Sequence, residues 1–418
     1  MKLAALNLSG ARYRWELVFW LWCAFFLNQA DRQVYSVVLP QLRAELQLSD
    51  IEAGLVATLF SLALALCVPV AGWAGDRLDR RRIVLVSLAG WSLSTLLTGF
   101  STGLVFLVLI RSAATGAGEA FYAPAAYALM AAHHAETRSR AMSVHQTALY
   151  LGVVCSGWLA GSIADRFGWR SAFYVFGAAG LILAAFMAFR LRPSPPPPVD
   201  RPPAREVLRR LMGTPTALSI SAAFGCMVFV NVGYLTWMPT YLHERFGLSL
   251  AQAGLASMLW HHLFAFLGVT AGAWMADRAA RTNPGRRLDI QAAGLLMGAP
   301  FLLLLGSVDA LTPALVALSG FGLFRGVYDS NTYASLFEVV ESRFHASASG
   351  LMIAIAFLFG SLAPLVLGAV KQWAGLSLGF PVLAGAYILG ALLLWTARLR
   401  SFSRDYQRAH PAPAEVYV

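Results

Sequence analysis

The sequence predicts an all-α membrane protein: twelve transmembrane helices in two six-helix halves that repeat one another, with both termini cytoplasmic. Three observations carry that expectation. Hydrophobic residues make up 58% of the 418 residues and charged residues only 13%, whereas soluble domains carry about 25% charged residues. Mean hydropathy is +0.62, and a spanning helix needs about 20 mostly apolar residues. Such segments fall at 15–40, 53–73, 83–101, 104–131, 141–163, 171–190, 215–242, 251–275, 289–306, 313–340, 347–370 and 379–398. Finally, one polar phrase in the first half returns in the second.

The net charge of +11 raises the possibility of a nucleic-acid partner, but the placement of the charge excludes it. With the N-terminus inside, 24 Lys and Arg fall on the cytoplasmic side and five on the other, while Arg32, Arg111 and Arg325 lie within spans. This is the positive-inside bias of a membrane protein, and it sets the expected orientation.

The first span holds the stretch on which the functional reading turns. Asn28 to Pro40 (N-Q-A-D-R-Q-V-Y-S-V-V-L-P) continues the apolar run Leu17 to Leu27 without a break, which sets Asp31 and Arg32 inside a membrane helix. A charge there costs about 2.5–3.5 kcal/mol on the mildest scale, so such residues face a bundle interior or an aqueous path. The segment lacks a small-residue cleavage site and reads as a span rather than a signal peptide. Cys23, Cys67, Cys155 and Cys226 fall within spans without metal-type spacing and read as small core residues.

The second span opens with L-Q-L-S-D-I-E-A-G, Leu46 to Gly54, where Ser49 and Glu52 have capping-box spacing. The phrase returns as F-G-L-S-L-A-Q-A-G, Phe246 to Gly254, with Ser249 and Gln252 in the same roles. In that register Pro40 answers Pro239, Asp31 answers Asn231, Glu119 answers Arg325, and Tyr122 and Tyr127 answer Tyr328 and Tyr333. An internal repeat is the simplest explanation. The expected parts are an N-terminal half over 1–190, a Pro-rich basic linker over 191–214, a C-terminal half over 215–398 and a tail over 399–418. Proline density makes the linker a semi-rigid spacer, and its basic stretch Ala204 to Met212 is suited to the anionic inner leaflet.

Gly72, Asp76, Arg77, Arg80 and Arg81, in G-W-A-G-D-R-L-D-R-R-R, resemble the loop between helices 2 and 3 of the major facilitator superfamily. A degenerate copy recurs at Asp277, Arg278 and Arg281, and F-G-W-R-S-A-F, Phe167 to Phe173, is similar to that superfamily's start of helix 6. The resemblance covers the whole chain. It implies the major facilitator fold, alternating access, and gating by the two loops. Asp31–Arg32, with Arg111 and G-A-G-E-A (Gly116 to Ala120), resembles the anion:cation symporter and Spinster-like branches. There the helix 1 carboxylate and the helix 4 Arg–Glu pair are associated with proton coupling and substrate binding. In this chain Arg111 precedes Glu119 by eight residues where seven are expected, which on a regular helix turns it about 100° away.

The resemblance further implies a central cavity between spans 1, 4, 7 and 10, and the polar residues of the sequence collect on those spans. Asp31 and Glu119 are the expected proton-coupling residues, since burial favours the neutral form of a carboxyl. Arg32, Arg111, Tyr122, His145, Asn231, Tyr234, Trp237, Arg325, Asp329 and Asn331 are the expected substrate-binding residues. Arg325 and Asp329, four apart, share a face, and read equally as a structural ion pair. Adjacent His261 and His262 point to different faces, so at most one meets a cavity. Glu119 is favoured over Asp31 as proton carrier because Arg32 stands next to Asp31 in sequence.

The leading expectation is a secondary transporter, a proton-coupled symporter of a small organic anion such as a sugar acid, carboxylate or sugar phosphate. Guanidinium holds such groups through its charge and planar fork. Further readings, in order, are a Spinster-like lysolipid carrier, a multidrug/proton antiporter and a non-transporting sensor. Trp158 stands where multidrug antiporters usually carry the proline of helix 5. No nucleotide-binding motif, nucleophile–base arrangement or metal set is apparent, so neither an enzyme nor a cofactor is expected. The expected partners are protons, the anion and the bilayer; the expected setting is a monomer, multi-pass in a bacterial-type inner (plasma) membrane.

Overall fold

The computed structural model of the chain describes residues 2–75, 77–134, 136–194, 204–341 and 344–410, and these are helical almost throughout. In chain order the helices are α1 (Lys2–Leu46), α2 (Asp50–Gly75), α3 (Arg80–Thr98), α4 (Leu104–His133), α5 (Arg138–Phe167) and α6 (Trp169–Arg190). A short helix α7 (Ala204–Met212) follows, then α8 (Pro215–Phe246), α9 (Leu250–Ala280), α10 (Arg286–Ser307) and α11 (Leu311–Phe337). The chain closes with α12 (Ser347–Ala374), α13 (Gly379–Arg400) and α14 (Phe402–Ala409).

Among the described residues, ten helices are long and apolar enough to cross a membrane. The two remaining expected segments, 15–40 and 83–101, lie on α1 and α3, whose polar content sets them apart from the ten. Val86, Val105, Phe189 and Leu399 are exposed, as befits helices whose surroundings are as apolar as their cores.

Both helix starts expected from the repeated phrase are built as expected. The Ser49 N–H donates to Glu52 Oε2 (2.8 Å) and the Glu52 N–H to Ser49 Oγ (3.2 Å). At α9 the Ser249 N–H donates to Gln252 Oε1 and the Gln252 N–H to Ser249 Oγ, both at 3.2 Å. Pro40 and Pro239 lie at corresponding points near the ends of α1 and α8, where each removes one backbone donor.

The helices gather into two compact units. The first comprises Met1–Val199 and Leu235–Met258. In it α1 packs on α5, α2 on α4, and α3 on α6. Small residues permit the close approaches: a Cβ on Gly152 would lie 2.6 Å from the Phe26 carbonyl oxygen, and one on Gly116 2.6 Å from that of Phe60. The end of α5 also meets the start of α9 in this unit. Asp165 accepts the Leu250 and Ala251 N–H groups (3.2 and 3.0 Å), which belong to the open donors of a helix N-terminus. Arg43 pairs with Asp50, and with Glu244 at 3.6 Å.

The second unit comprises Asp200–Tyr234 and Leu259–Val418. Here α10 is central, packed on α11 and α13. Helix α14 is tied to the start of α8: Asp405 Oδ2 accepts the Thr216 N–H (3.0 Å), and the Thr216 and Ser401 hydroxyls bond at 2.8 Å.

Candidate functional site

In the first unit the sequence-predicted residues of α1 and α4 converge on one buried cluster. Arg32 Nε donates to Glu119 Oε2 at 2.5 Å. Arg111 Nη1 lies 3.9 Å from Asp31 Oδ1, and Nη2 donates to the Asp31 and Arg32 carbonyls (3.2 and 3.3 Å). Arg111 also stands over the Phe60 ring, 4.8 Å from its centroid. Thr95 of α3, which the sequence reading did not single out, donates to Asp31 Oδ2 at 2.5 Å. Asp31, Arg111 and Glu119 are each 2–3% exposed. Among the described residues, Asp31 Oδ1, Glu119 Oε1 and Arg111 Nη1 are buried without a hydrogen-bond partner.

Arg111 reaches this cluster through a local change in the helix. Leu107–Ala114 is π-helical, and a π segment takes up one residue more than α-helical winding does. The additional residue absorbs the eight-residue spacing, so Arg111 and Glu119 both address α1. The 100° offset expected for a regular helix is thereby corrected. A second correction concerns Arg32. Its neighbour in sequence is Asp31, but its ion-pair partner is Glu119, because adjacent helical residues point about 100° apart. The sequence argument that left Glu119 isolated and Asp31 neutralised by Arg32 does not hold.

Tyr122 and His145 meet each other in the interior of the same unit. Tyr122 donates to the Leu21 carbonyl (2.5 Å), and its hydroxyl lies 3.3 Å from His145 Nε2. The imidazole is stacked on Phe25 at 4.5 Å, and Tyr122 meets Trp91 edge-on. Both residues are 0% exposed and are part of, or packed into, the apolar core of the unit.

The second unit holds a smaller cluster. Arg325 Nη1 donates to His261 Nε2 (2.8 Å), and Nε lies 3.3 Å from Asp329 Oδ2. The His261 ring lies against Tyr234 and Phe321, each with centroids 4.6 Å apart. His261, given little weight in the sequence reading, is therefore the cross-helix partner of Arg325. Asn231 is half-buried one turn before Tyr234 on α8, and Trp237, farther along the helix, is buried in the first unit.

Asn331 falls outside that cluster. Arg287 donates from Nη1 to Asn331 Oδ1 (3.0 Å), from Nη2 to Asp277 (2.8 Å) and from Nε to Glu338 (2.9 Å). This places Asn331 with Asp277 of the second loop motif; burial pushes the Glu338 carboxyl up from its ordinary range, against the pull of Arg287. Arg278 lies over Trp274. In the first loop motif Arg77 stands over Trp73, and Arg80 Nε donates to the Gly75 carbonyl (3.4 Å). Arg81 Nη2 donates to the Ala188 carbonyl at 2.5 Å, and space is open around Gly72. Asp79 caps α3 by accepting the Arg81 and Arg82 N–H groups, while Asp76 lies outside the described residues.

The sequence profile of the Major Facilitator Superfamily matches residues 21–322. The chain is 28% identical to Protein spinster homolog 1 of Xenopus tropicalis, over 87% of this chain and 74% of that protein. It is 26% identical to the Hexuronate transporter of Bacillus subtilis (strain 168), over 90% and 92%. It is 25% identical to Sodium-dependent phosphate transport protein 1, chloroplastic, of Arabidopsis thaliana, over 91% and 78%. A solved bacterial homolog of the human lysosomal transporter Spinster, inward-facing and occupied, shares the fold with a TM-score of 0.81 at 19% identity, over 94% and 98%.

Proposed function

The chain belongs to the Major Facilitator Superfamily, and from that premise we propose that it is a secondary transporter coupling a small organic anion to a proton. The observation that carries the reading is the charge balance of the α1–α4 cluster: two guanidiniums and two carboxylates, all largely buried. An anion added to a neutral cluster leaves one charge uncompensated, and an unpaired buried charge is penalised by several kcal/mol. A proton on Glu119 removes that penalty and releases Arg32 Nε to take the anion. Anion and proton therefore load together. Asp31, held by Thr95 and Arg111, is the second carrier of the same kind.

In this reading α1 and α3 complete twelve spans, both termini are cytoplasmic, and the halves over 1–190 and 215–398 alternate access about the linker. The two loop motifs gate that motion, and Arg325 is the substrate-binding arginine of the second half, with His261 as its partner. The protein acts as a monomer in a bacterial-type inner membrane. Support for a sugar acid as the anion comes from the relative named for hexuronate transport. The relatives named spinster favour a second reading, a lysolipid carrier.

Uptake into proteoliposomes tests both. Wild-type protein should accumulate a hexuronate against its gradient when the lumen is alkaline. Glu119→Gln and Asp31→Asn should reach only equal concentrations on the two sides yet keep counterflow of preloaded substrate. Accumulation by both variants with the wild-type pH profile would overturn proton coupling through these two carboxylates. Movement of labelled lysolipid without hexuronate uptake would favour the second reading.

A further inference from the structure

Away from the transport clusters, the second unit has an open cavity of about 370 Å³ between α7, the turn after α11, and α14. Small-ligand sites begin at about 300 Å³. Among the described residues its charged lining is Arg209, Arg210, Glu341, Asp405 and Arg408. The two carboxylates are engaged by the protein. Glu341 pairs with Arg210 at 3.1 Å. Asp405, 1% exposed, accepts the Thr216 N–H and pairs with Arg404 at 3.2 Å. Arg209 and Arg408 are exposed and bring the positive charge in excess of those pairings.

The surroundings of the cavity are amphipathic. On α7 the apolar Leu208 and Met212 are 49% and 61% exposed, while Arg209 and Arg210 line the cavity. Apolar side chains beside a basic face are the arrangement of a helix that lies in a membrane interface, where each Lys or Arg gains about 1 kcal/mol from anionic lipid. Guanidiniums present paired donors to phosphate oxygens.

We propose that this cavity binds a phosphate group, held by Arg209 and Arg408 with Arg210 beside them. The group belongs either to an anionic phospholipid of the adjoining leaflet or to a soluble phosphate ester. Its occupant bridges the helix that precedes α8 to α14, and so fastens α7 and α14 to the turn after α11. The site is independent of the transport reading, and neither cluster of buried charges takes part in it.

Thermal unfolding of the purified full chain in neutral detergent tests the proposal. The additives are phosphatidylglycerol, phosphatidylcholine as its neutral-headgroup control, and glycerol 3-phosphate. Binding at a hundredfold excess over Kd should raise Tm by on the order of 5 °C. A rise with phosphatidylglycerol alone, lost in Arg209→Gln/Arg408→Gln, identifies the lipid as the source. A rise with glycerol 3-phosphate that the same variant loses identifies a soluble ester. No rise with either, or an equal rise in wild type and variant, overturns the proposal; so does equal stabilisation by phosphatidylcholine. Both arginines are exposed, so the variant should fold. If the double variant does not, Arg209→Gln alone must reduce the rise.

Discussion

Each unit holds a polar cluster, one on α1 and α4 and the other on α9 and α11, of which only α4 and α11 answer one another in the repeat, and the two are charged differently. The cluster of α1 and α4 has two carboxylates and two guanidiniums. That of α9 and α11 has one of each and a histidine. At the repeat positions themselves, Asp31 answers Asn231 and Glu119 answers Arg325. The capping hydrogen bonds at Ser49 and Ser249 are reciprocal in both copies, while at positions 31 and 119 the acid stands in the first copy and not at its counterpart in the second. Repetition here preserves the parts that hold helices in place and leaves chemistry free to diverge.

The largest effect is expected from changing the register of the richer cluster. An alanine inserted between Ala113 and Ala114 turns Arg111 about 100° away from its present register with Glu119. It should reduce uptake to background with the protein still in the membrane. Deleting Ala114 brings the spacing to seven, allows regular winding, and should preserve uptake to within a few-fold. Equal loss in both would show that the π segment serves something other than the register of Arg111.

A smaller effect is expected in the second cluster. Arg325→Lys keeps the charge and loses the planar fork that meets His261 and Asp329 together. A hydrogen bond to a charged group contributes about 1.5–3 kcal/mol, so substrate affinity should fall roughly ten- to a hundredfold. If Tm falls while affinity is kept, the residue is structural and the asymmetry between the clusters is deeper still.

The smallest effect compares the two caps. Ser49→Ala should lower stability by about 1 kcal/mol, read from thermal or denaturant unfolding. Ser249→Ala should lower it less, because Asp165 also accepts N–H groups at the start of α9. A larger loss at Ser249 would mean that the Asp165 contact depends on the cap rather than backing it up.

What the sequence revealed and what it hid follow from where each signal resides. The caps were legible because their partners lie three residues apart and bond within a single turn. The Arg325–Asp329 pair was legible for the same reason, at four residues. The partner of Arg32 was not, since 87 residues separate it from Glu119 and nearness in sequence pointed to Asp31. Tyr122 and His145 carry the residue types of a cavity wall, but their side chains interlock with Phe25 and Trp91, and composition does not separate those roles. Thr95 and His261 became visible only when their partners were placed.

The π segment of α4 also bears on how this chain is read beside others. In an unbroken helix, the arrangement of Arg111 and Glu119 calls for a spacing of about seven residues, two turns; here eight residues make it. Against a chain that makes the same arrangement with seven residues, an ungapped alignment anchored on Glu119 sets Arg111 one position away from that chain's arginine and scores a shared arginine as a substitution. The gap belongs between 107 and 114, inside a helix, where alignment practice places gaps least willingly. A comparison of residues facing α1 should count by angle around the axis and not by position along the chain.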